Sequence, residues 1–91
     1  MNEIGMTAAE IIKRGDEEEK RLSKLVYLED GFVILAVAYE YEIALSRCDT
    51  IEKILSWVTH LSSKKWMTID VMSKFIRTAC EYHGFNPYLM P

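Results

Sequence analysis

One stretch of this chain, residues 39–61, changes its hydrophobic period abruptly, and this change limits the folds that the chain can adopt. From residue 39 to residue 46, apolar and polar residues alternate with the two-residue period of a half-buried strand. After that, apolar residues recur at helical spacing and fall on one stripe about 160° wide at 100° per residue. The stripe consists of Ile51, Ile54, Leu55, Trp57, Val58 and Leu61. A strand followed at once by an amphipathic helix predicts an α+β fold.

The junction between this strand and this helix carries a helix-start signal. The sequence Asp49-Thr50-Ile51-Glu52 has the form of a capping box. In such a box, the Asp49 side chain accepts hydrogen bonds from the free amides of the first turn, while Glu52 reaches back to the Asp49 amide. We therefore predict a helix over residues 49–62 with Asp49 as its N-cap.

A second helix is predicted over residues 68–83. Thr68 is a suitable N-cap, Asp70 lies in the first turn, and Gly84 can adopt the left-handed conformation that ends a helix. The predicted buried stripe consists of Ile69, Val71, Met72, Phe75, Ile76, Ala79, Cys80, Tyr82 and His83. Because the link of residues 62–67 is short, the two helices should pack as antiparallel neighbours.

A β-hairpin is predicted over residues 25–46. The dipeptide Asp30-Gly31 between two β-prone runs is a strong signal for a tight hairpin turn. The first arm, residues 25–28, is short, whereas the second arm, residues 32–45, is long. The first arm can therefore pair with only part of the second.

The second arm also admits a helical interpretation. Residues 32–47 contain three alanines and two leucines, which favour a helix, and that alternative would make the fold all-α. On a strand, Glu40 and Glu42 share one face, whereas on a helix they would lie about 200° apart with one of them towards the core. We therefore favour the strand.

Residues 1–24 are predicted to form a helical arm. Thr7 to Glu10 has the form of a capping box, and Gly15 can end the short helix that it begins. Residues 16–24 place acidic residues before basic ones, which suits the helix dipole and allows ion pairs four residues apart. This charged segment is typical of a solvated helix face.

Composition and charge narrow the class of protein. The chain has 91 residues, of which 49% are hydrophobic and 27% charged, as is typical of one folded globular domain. Residues 1–46 hold ten acidic and five basic residues (−5), and residues 47–91 hold four and six (+2), which sum to the net charge of −3. The excess of acid in the first half argues against nucleic-acid binding there.

The sequence contains no evident secretory or membrane segment. The N-terminus lacks the basic and apolar run of a signal peptide, and the longest apolar run, residues 32–39, has eight residues and is too short to span a bilayer. Two cysteines do not make a disulfide framework in a chain of this length. We therefore expect a cytoplasmic protein without membrane contact.

Two cysteines and two histidines raise the question of a zinc site. Cys48 and His60 flank or lie on one helix, about 18 Å apart at 1.5 Å per residue, whereas the ligands of one tetrahedral ion converge within a few ångströms. Cys80 and His83 are close enough in sequence to share a metal, but they supply only half a site. We therefore predict that the chain holds no metal.

Catalytic patterns are also missing from the sequence. Residues 62–65 combine two serines with two lysines but lack the strained turn and oxyanion donors that a nucleophile needs. Glu40 and Glu42 would lie about 6–7 Å apart on a strand, without a cleft or an aromatic platform for a sugar. The four glycines are scattered, so no phosphate-binding loop is present. We expect a non-enzymatic protein with no catalytic residues and no cofactor.

The remaining candidates are interaction surfaces. Basic side chains around an aromatic residue can hold single strands or phosphates. The predicted basic corner between the two C-terminal helices consists of Lys64, Lys65, Trp66, Lys74 and Arg77. The link between the helices is too long for a helix-turn-helix. We favour a stand-alone protein-binding module, such as an adaptor, an inhibitor or an antitoxin-like regulator, and a small nucleic-acid-binding regulator is the alternative.

The C-terminal tail, residues 85–91, contains four large apolar residues and two prolines. Such a tail either docks on its own domain or offers anchors to another molecule. Tryptophan, tyrosine and arginine dominate the binding energy of many interfaces. The residues predicted to contact a partner protein are Lys64, Lys65, Trp66, Arg77 and Tyr88.

A homodimer is also predicted. The long second arm of the hairpin, residues 32–45, extends beyond its partner arm and would leave backbone groups unpaired. Pairing with the same strand of a second copy is the simplest way to satisfy them, and cover by the N-terminal arm is the alternative.

Overall fold

In the sequence, one helix precedes a small three-stranded sheet and two helices follow it. The computed structural model describes the backbone of residues 8–86 and the side chains of residues 17–86. In chain order the elements are α1 (Ala8–Leu25), β1 (Val26–Glu29), β2 (Phe32–Ala36), β3 (Glu40–Ala44), a 3-10 helix (Leu45–Arg47), α2 (Ile51–Leu61) and α3 (Ile69–His83). The predicted α+β class is confirmed, with one N-terminal helix and two C-terminal helices, and the all-α alternative is wrong.

The predicted long second arm is wrong, because it is two strands. Residues 37–39 bend, and β3 folds back to pair antiparallel with β2, which gives a three-stranded sheet in the order β1-β2-β3. This arrangement provides β2 with a partner on each side, so its backbone groups are satisfied within one chain. The bend contains no glycine, proline, asparagine or aspartate, and it therefore carried no local turn signal.

The predicted hairpin turn is confirmed between β1 and β2. Asp30 and Gly31 have φ angles of 50° and 83°, and Glu29 pairs with Phe32 directly beneath them. Two consecutive positive φ angles are what a type I′ turn requires, and they match the twist of the flanking strands.

One face of the sheet packs against α1 and α3, and α2 packs against α3. Strand residues on this face alternate with residues on the opposite face, where Ile34 is also buried, at 1% exposure, outside the main cluster. The buried core consists of Leu22, Val26, Val33, Leu35, Ile43, Leu45, Cys48, Ile54, Leu61, Val71, Phe75, Ala79 and Cys80. The two C-terminal helices therefore pack against each other as predicted.

The cap of α2 is Thr50 and not Asp49, so that prediction is wrong by one residue. Thr50 has extended backbone angles, and its Oγ1 atom accepts a hydrogen bond from the Lys53 amide at 3.1 Å. Asp49 instead pairs through its carboxylate with the Nζ atom of Lys53 at 2.8 Å. The predicted ends of α3 are confirmed, since Thr68 caps its start and Gly84 is left-handed at φ 77°.

Several apolar residues of the predicted helix stripes lie in solvent. Ile51 and Leu55 of α2 are 45% and 58% exposed, and Ile69 of α3 is 87% exposed. Each helix buries a narrower face than its apolar stripe, because each packs along one side only. The stripe predictions are therefore wrong at these positions and at the exposed Tyr82.

Within the predicted N-terminal arm, the described residues from Ala8 onward form one continuous helix, α1, and the predicted stop at Gly15 is wrong. Packing supports its second half, where Leu22 is buried in the core, and tertiary contacts of this kind outweigh the low helix propensity of one glycine. The proposed Thr7 cap lies outside the described residues. No helix within residues 8–86 is long and apolar enough to cross a bilayer.

Candidate protein-binding surface

Three aromatic rings and two lysines meet where the bend before β3 approaches the link between α2 and α3. We call this surface the Trp66 corner, and it consists of Tyr39, Tyr41, Lys64, Lys65 and Trp66. The Trp66 ring lies 6.0 Å from the Tyr39 ring and 5.6 Å from the Tyr41 ring, between centroids. The two tyrosine rings are 6.1 Å apart. Such distances are in the range of favourable aromatic pairs.

Two separate parts of the chain position these rings. Tyr41 lies in β3 on the helix-facing side, where its strand partner is Leu35. Trp66 follows a turn in which the Lys64 amide donates to the Leu61 carbonyl at 3.0 Å. The core therefore holds one side of the cluster, whereas Tyr39, just before β3, is 56% exposed.

The lysines of the corner differ in their surroundings. The Nζ atom of Lys64 lies 5.4 Å from the centroid of the Tyr41 ring, within the range of a cation–π contact. Lys65 is exposed beside Trp66. The corner thus combines a partly exposed aromatic surface with positive charge.

The other two basic residues of the predicted corner face α1 instead. The Nζ atom of Lys74 lies 2.7 Å from Oε1 of Glu19, and an Nη atom of Arg77 lies 3.9 Å from Oε2 of the same carboxylate. The hydrogen bond from Lys74 lowers the pKa of Glu19 below its ordinary value, and the charge of Arg77 acts in the same direction. Lys74 and Arg77 are therefore directed towards α1, where the single Glu19 carboxylate balances one of their two positive charges.

A second ion pair joins the same two helices. Arg21 of α1 approaches Asp70 of α3 at 3.6 Å and pairs with Glu18 at 2.9 Å. The charge run of α1 was predicted to be a solvated face. Residues 17–21 are exposed, as expected of such a face, and Glu19 and Arg21 among them also form ion pairs with α3.

Tyr88, the last predicted partner residue, lies outside the described residues. Gly84 ends α3 and Trp66 lies just before its start, so the length of α3 separates Gly84 from Trp66 by about 22 Å at 1.5 Å per residue. Phe85, the first tail residue, packs on the core and stacks on His83 at 5.8 Å between ring centroids. The start of the tail therefore docks on its own domain.

The cysteine side chains are buried, and the histidine side chains contact other parts of the fold. Cys48 and Cys80 are buried free thiols, and burial raises the pKa of both above the ordinary value. Nε2 of His83 donates to the Leu45 carbonyl at 2.8 Å, and the His60 ring lies edge-on to Trp57. Within the described part of the chain, no group of three or more His, Cys, Asp or Glu residues could hold a metal ion.

Sequence reasoning found Trp66, Lys64 and Lys65 but missed Tyr39 and Tyr41 as parts of the same surface. Both tyrosines were assigned to one long strand, which placed them away from the helix link. The local signal was present, since two tyrosines two residues apart share one strand face. Their approach to Trp66 required the bend at residues 37–39.

Comparison with protein families, with curated proteins and with solved structures finds no match to this chain. Its function is therefore inferred from the chemistry and geometry of its surfaces.

Proposed function

We propose that this protein is a small protein-binding module, an adaptor or inhibitor, and that the Trp66 corner is its binding surface. The observation that carries the proposal is the cluster of three aromatic rings, of which Tyr39 is 56% exposed, beside Lys64 and Lys65. Tyrosine and tryptophan bury a large area at low entropic cost, and they are enriched among residues that dominate binding energy.

The charge of the corner indicates the partner's chemistry. Lys65 is exposed, and Lys64 lies against an aromatic face. A partner segment that places an apolar or proline side chain on the rings and a carboxylate beside the lysines would satisfy both parts of the surface. We therefore propose an acidic, apolar segment of another protein as the ligand.

Single-stranded nucleic acid is the alternative ligand, because stacked aromatics next to lysines also suit bases and phosphates. The protein-binding proposal is preferred since Lys74 and Arg77 are engaged by Glu19 and the chain carries a net charge of −3. Only two cations of the predicted five-residue patch therefore remain at the corner.

A matched pair of tyrosine variants tests the proposal. Tyr82 on α3 is 55% exposed, almost as much as Tyr39, but lies at the other end of α3 from Trp66. A partner captured from host lysate is purified, and its affinity is measured for the wild type, Tyr39→Ala and Tyr82→Ala. We expect about a tenfold loss for Tyr39→Ala and little change for Tyr82→Ala. The indole N–H signal of Trp66 should also shift on binding.

Two results would contradict this function. Equal affinity of all three proteins would remove the Trp66 corner as the binding surface. Retention of a single-stranded oligonucleotide that depends on Tyr39 and weakens steeply with salt would replace the partner protein by a nucleic acid.

The homodimer stays a prediction, although the long unpaired strand on which it was based does not exist. The arm that was expected to lack a partner folds back on itself, and β3 pairs with β2. The outer edges of β1 and β3 are the remaining candidates for pairing between copies. Sedimentation over a range of concentrations measures this association directly.

A further inference from the structure

The outer edge of β3 carries a row of backbone groups that β2 does not use. The Leu45 amide donates to the Gly31 carbonyl at 3.0 Å, and this bonded pair extends the β2–β3 register by one residue. Opposite residues of an antiparallel pair alternate between hydrogen-bonded and non-hydrogen-bonded pairs. Counting from Leu45, the amides and carbonyls of Glu40, Glu42 and Ala44 therefore point away from β2.

The tight turn between β1 and β2 leads to the same assignment. Phe32 closes this two-residue turn by pairing with Glu29, so its backbone groups point to β1 and not to Ala44. Within the described part of the chain, no group hydrogen bonds to the outward amides and carbonyls of β3, and Glu40 and Glu42 are exposed. An edge strand in this state is a template for one more strand.

A groove of about 270 Å³ lies beside this edge. Its lining residues are Glu42, Ile43 and Ala44 of β3 together with Phe32, Arg47 and Trp57. Consecutive strand residues project to opposite faces of a sheet, so a groove that contacts three of them in a row follows the edge of the strand. The groove therefore provides space next to β3 for an extended segment.

The two sides of the β3 edge differ in chemistry. Glu40 and Glu42 project to one side, which is acidic. Tyr41 projects to the other side, where the Trp66 ring lies 5.6 Å from its ring and the Nζ atom of Lys64 lies 5.4 Å from its centroid. A strand added here would thus place alternate residues in an acidic and in an aromatic, basic environment.

A second copy of the chain fits this edge poorly. In the two-fold antiparallel register with full overlap, two copies of Glu42 would lie directly opposite each other. Sliding the strands by two residues towards the bend would place Glu40 opposite Glu42. Like charges directly opposite each other destabilise a pair of strands, so the charge pattern of β3 favours a different chain.

We propose that the partner segment of the Trp66 corner binds as a fourth, antiparallel strand on β3. The segment carries lysine or arginine opposite Glu40 and Glu42, an apolar residue opposite Tyr41, and a carboxylate at the end next to Lys64 and Lys65. Backbone hydrogen bonds to β3 supply affinity, and the alternating side chains supply specificity. This inference rests on the proposed function and specifies how the partner is held.

Three versions of one synthetic peptide test the added strand on the full chain. The parent, Thr-Val-Lys-Val-Lys-Glu with both ends capped, places its lysines opposite Glu42 and Glu40 and its second valine opposite Tyr41. N-methylation of the two lysines removes amides that face β3, whereas N-methylation of the two valines removes amides that face away. We expect the first change to weaken binding about tenfold or more and the second to change it less than about threefold.

Hydrogen exchange provides an independent reading of the same edge. In the free protein, the amides of Tyr41 and Ile43 should exchange slowly because they bond to β2, whereas those of Glu42 and Ala44 should exchange rapidly. The parent peptide should slow the exchange of Glu42 and Ala44. The lysine-methylated peptide should not.

Charge-neutral variants test the side-chain pattern. Glu40→Gln/Glu42→Gln keeps side-chain size and should weaken the parent peptide about tenfold, because two ion pairs are lost. Glu17→Gln/Glu81→Gln removes the same charge from exposed positions of α1 and α3 and should change the affinity less than about twofold. Melting curves verify that each variant is folded.

Several results would overturn the added strand. These are no binding of the parent peptide, equal weakening by the two methylation patterns, equal loss in the two glutamine double variants, and self-association of the wild type that the parent peptide abolishes, since a second copy would then occupy the edge. Tyr39→Ala separates this inference from the proposed function. Binding that depends on the methylation pattern but not on Tyr39 would support the added strand and remove the Trp66 corner, and the opposite dependence would remove the strand and keep the corner.

Discussion

The Nζ atom of Lys74 lies 2.7 Å from the Oε1 atom of Glu19, and this contact joins α1 to α3. Lys74 is only 18% exposed, and Arg77 approaches the same carboxylate from the next turn of α3. The pair therefore has two effects. It links the N-terminal helix to the domain, and it holds the side chains of Lys74 and Arg77 towards α1.

The Glu19 pair should make stability depend on pH. The pKa of Glu19 is lowered from 4.5 in the folded state, so its contribution is present above that ordinary value and is lost as the pH falls through the folded-state pKa. Glu19→Gln should therefore lower the free energy of unfolding near pH 7 and have a smaller effect near pH 3, below the ordinary pKa. Urea titrations of the wild type and the variant at both pH values measure this.

The exposed residue Glu81 provides the control for this measurement. Glu81→Gln should leave the free energy of unfolding within about 0.5 kcal/mol at neutral pH. If Glu19→Gln were as harmless as Glu81→Gln at pH 7, the contact between α1 and α3 would not contribute to stability.

The two threonine caps, Thr50 and Thr68, should contribute more to the stability of the fold than Asp49, which precedes Thr50. Thr50→Ala and Thr68→Ala each remove a hydrogen bond to a first-turn amide and should cost about 1 kcal/mol. Asp49→Ala removes only a solvent-exposed ion pair with Lys53 and should cost less than either. Thermal or chemical unfolding of the three variants gives the order. A larger loss for Asp49→Ala than for Thr50→Ala would show that Asp49 is the cap after all.

Two residues of the predicted α3 stripe should respond very differently to truncation. Phe75 is 0% exposed at the centre of the core, and Phe75→Ala should cost about 3–5 kcal/mol. Ile69 is 87% exposed, and Ile69→Ala should stay within about 0.5 kcal/mol. Circular dichroism during urea unfolding measures both. A loss of more than 2 kcal/mol for Ile69→Ala would mean that this side chain is covered in solution, for instance by another protein.

The two cysteines should be unreactive in the folded protein. Burial is the main reason that the pKa of Cys48 and Cys80 is raised, and the neighbouring charges of Asp49 and Glu81 add to it. Since the thiolate is the reactive form, a thiol reagent near pH 7 should modify both residues only as the chain opens. Mass spectrometry of labelled samples follows the rate, which should rise sharply in urea.

Metal removal should have no effect on stability. The described residues offer no cluster of metal ligands, and His83 uses its Nε2 atom to bind the Leu45 carbonyl. Melting curves with and without a strong chelator should therefore coincide. Stoichiometric zinc in the purified protein, together with unfolding by the chelator, would contradict this prediction.

Features that depend on a few neighbouring residues could be predicted from the sequence. The Asp30-Gly31 turn follows from the positive φ angles that these residues tolerate, and Gly84 ends α3 for the same reason. Thr68 was identified as a cap because its side chain reaches an amide in the next turn. The class of fold followed from the change of hydrophobic period at the end of the sheet.

Features that depend on contacts between distant residues appeared only in the tertiary structure. The bend at residues 37–39 has no turn chemistry of its own, and the gain from pairing β3 with β2 decides it. That bend brings Tyr39 and Tyr41 to Trp66. The partners of Lys74 and Arg77 were likewise unpredictable, because Glu19 is 55 residues from Lys74 in sequence and meets it only when α1 docks on α3. The Trp66 corner therefore arises from long-range packing, which hydrophobic period and local propensity do not encode.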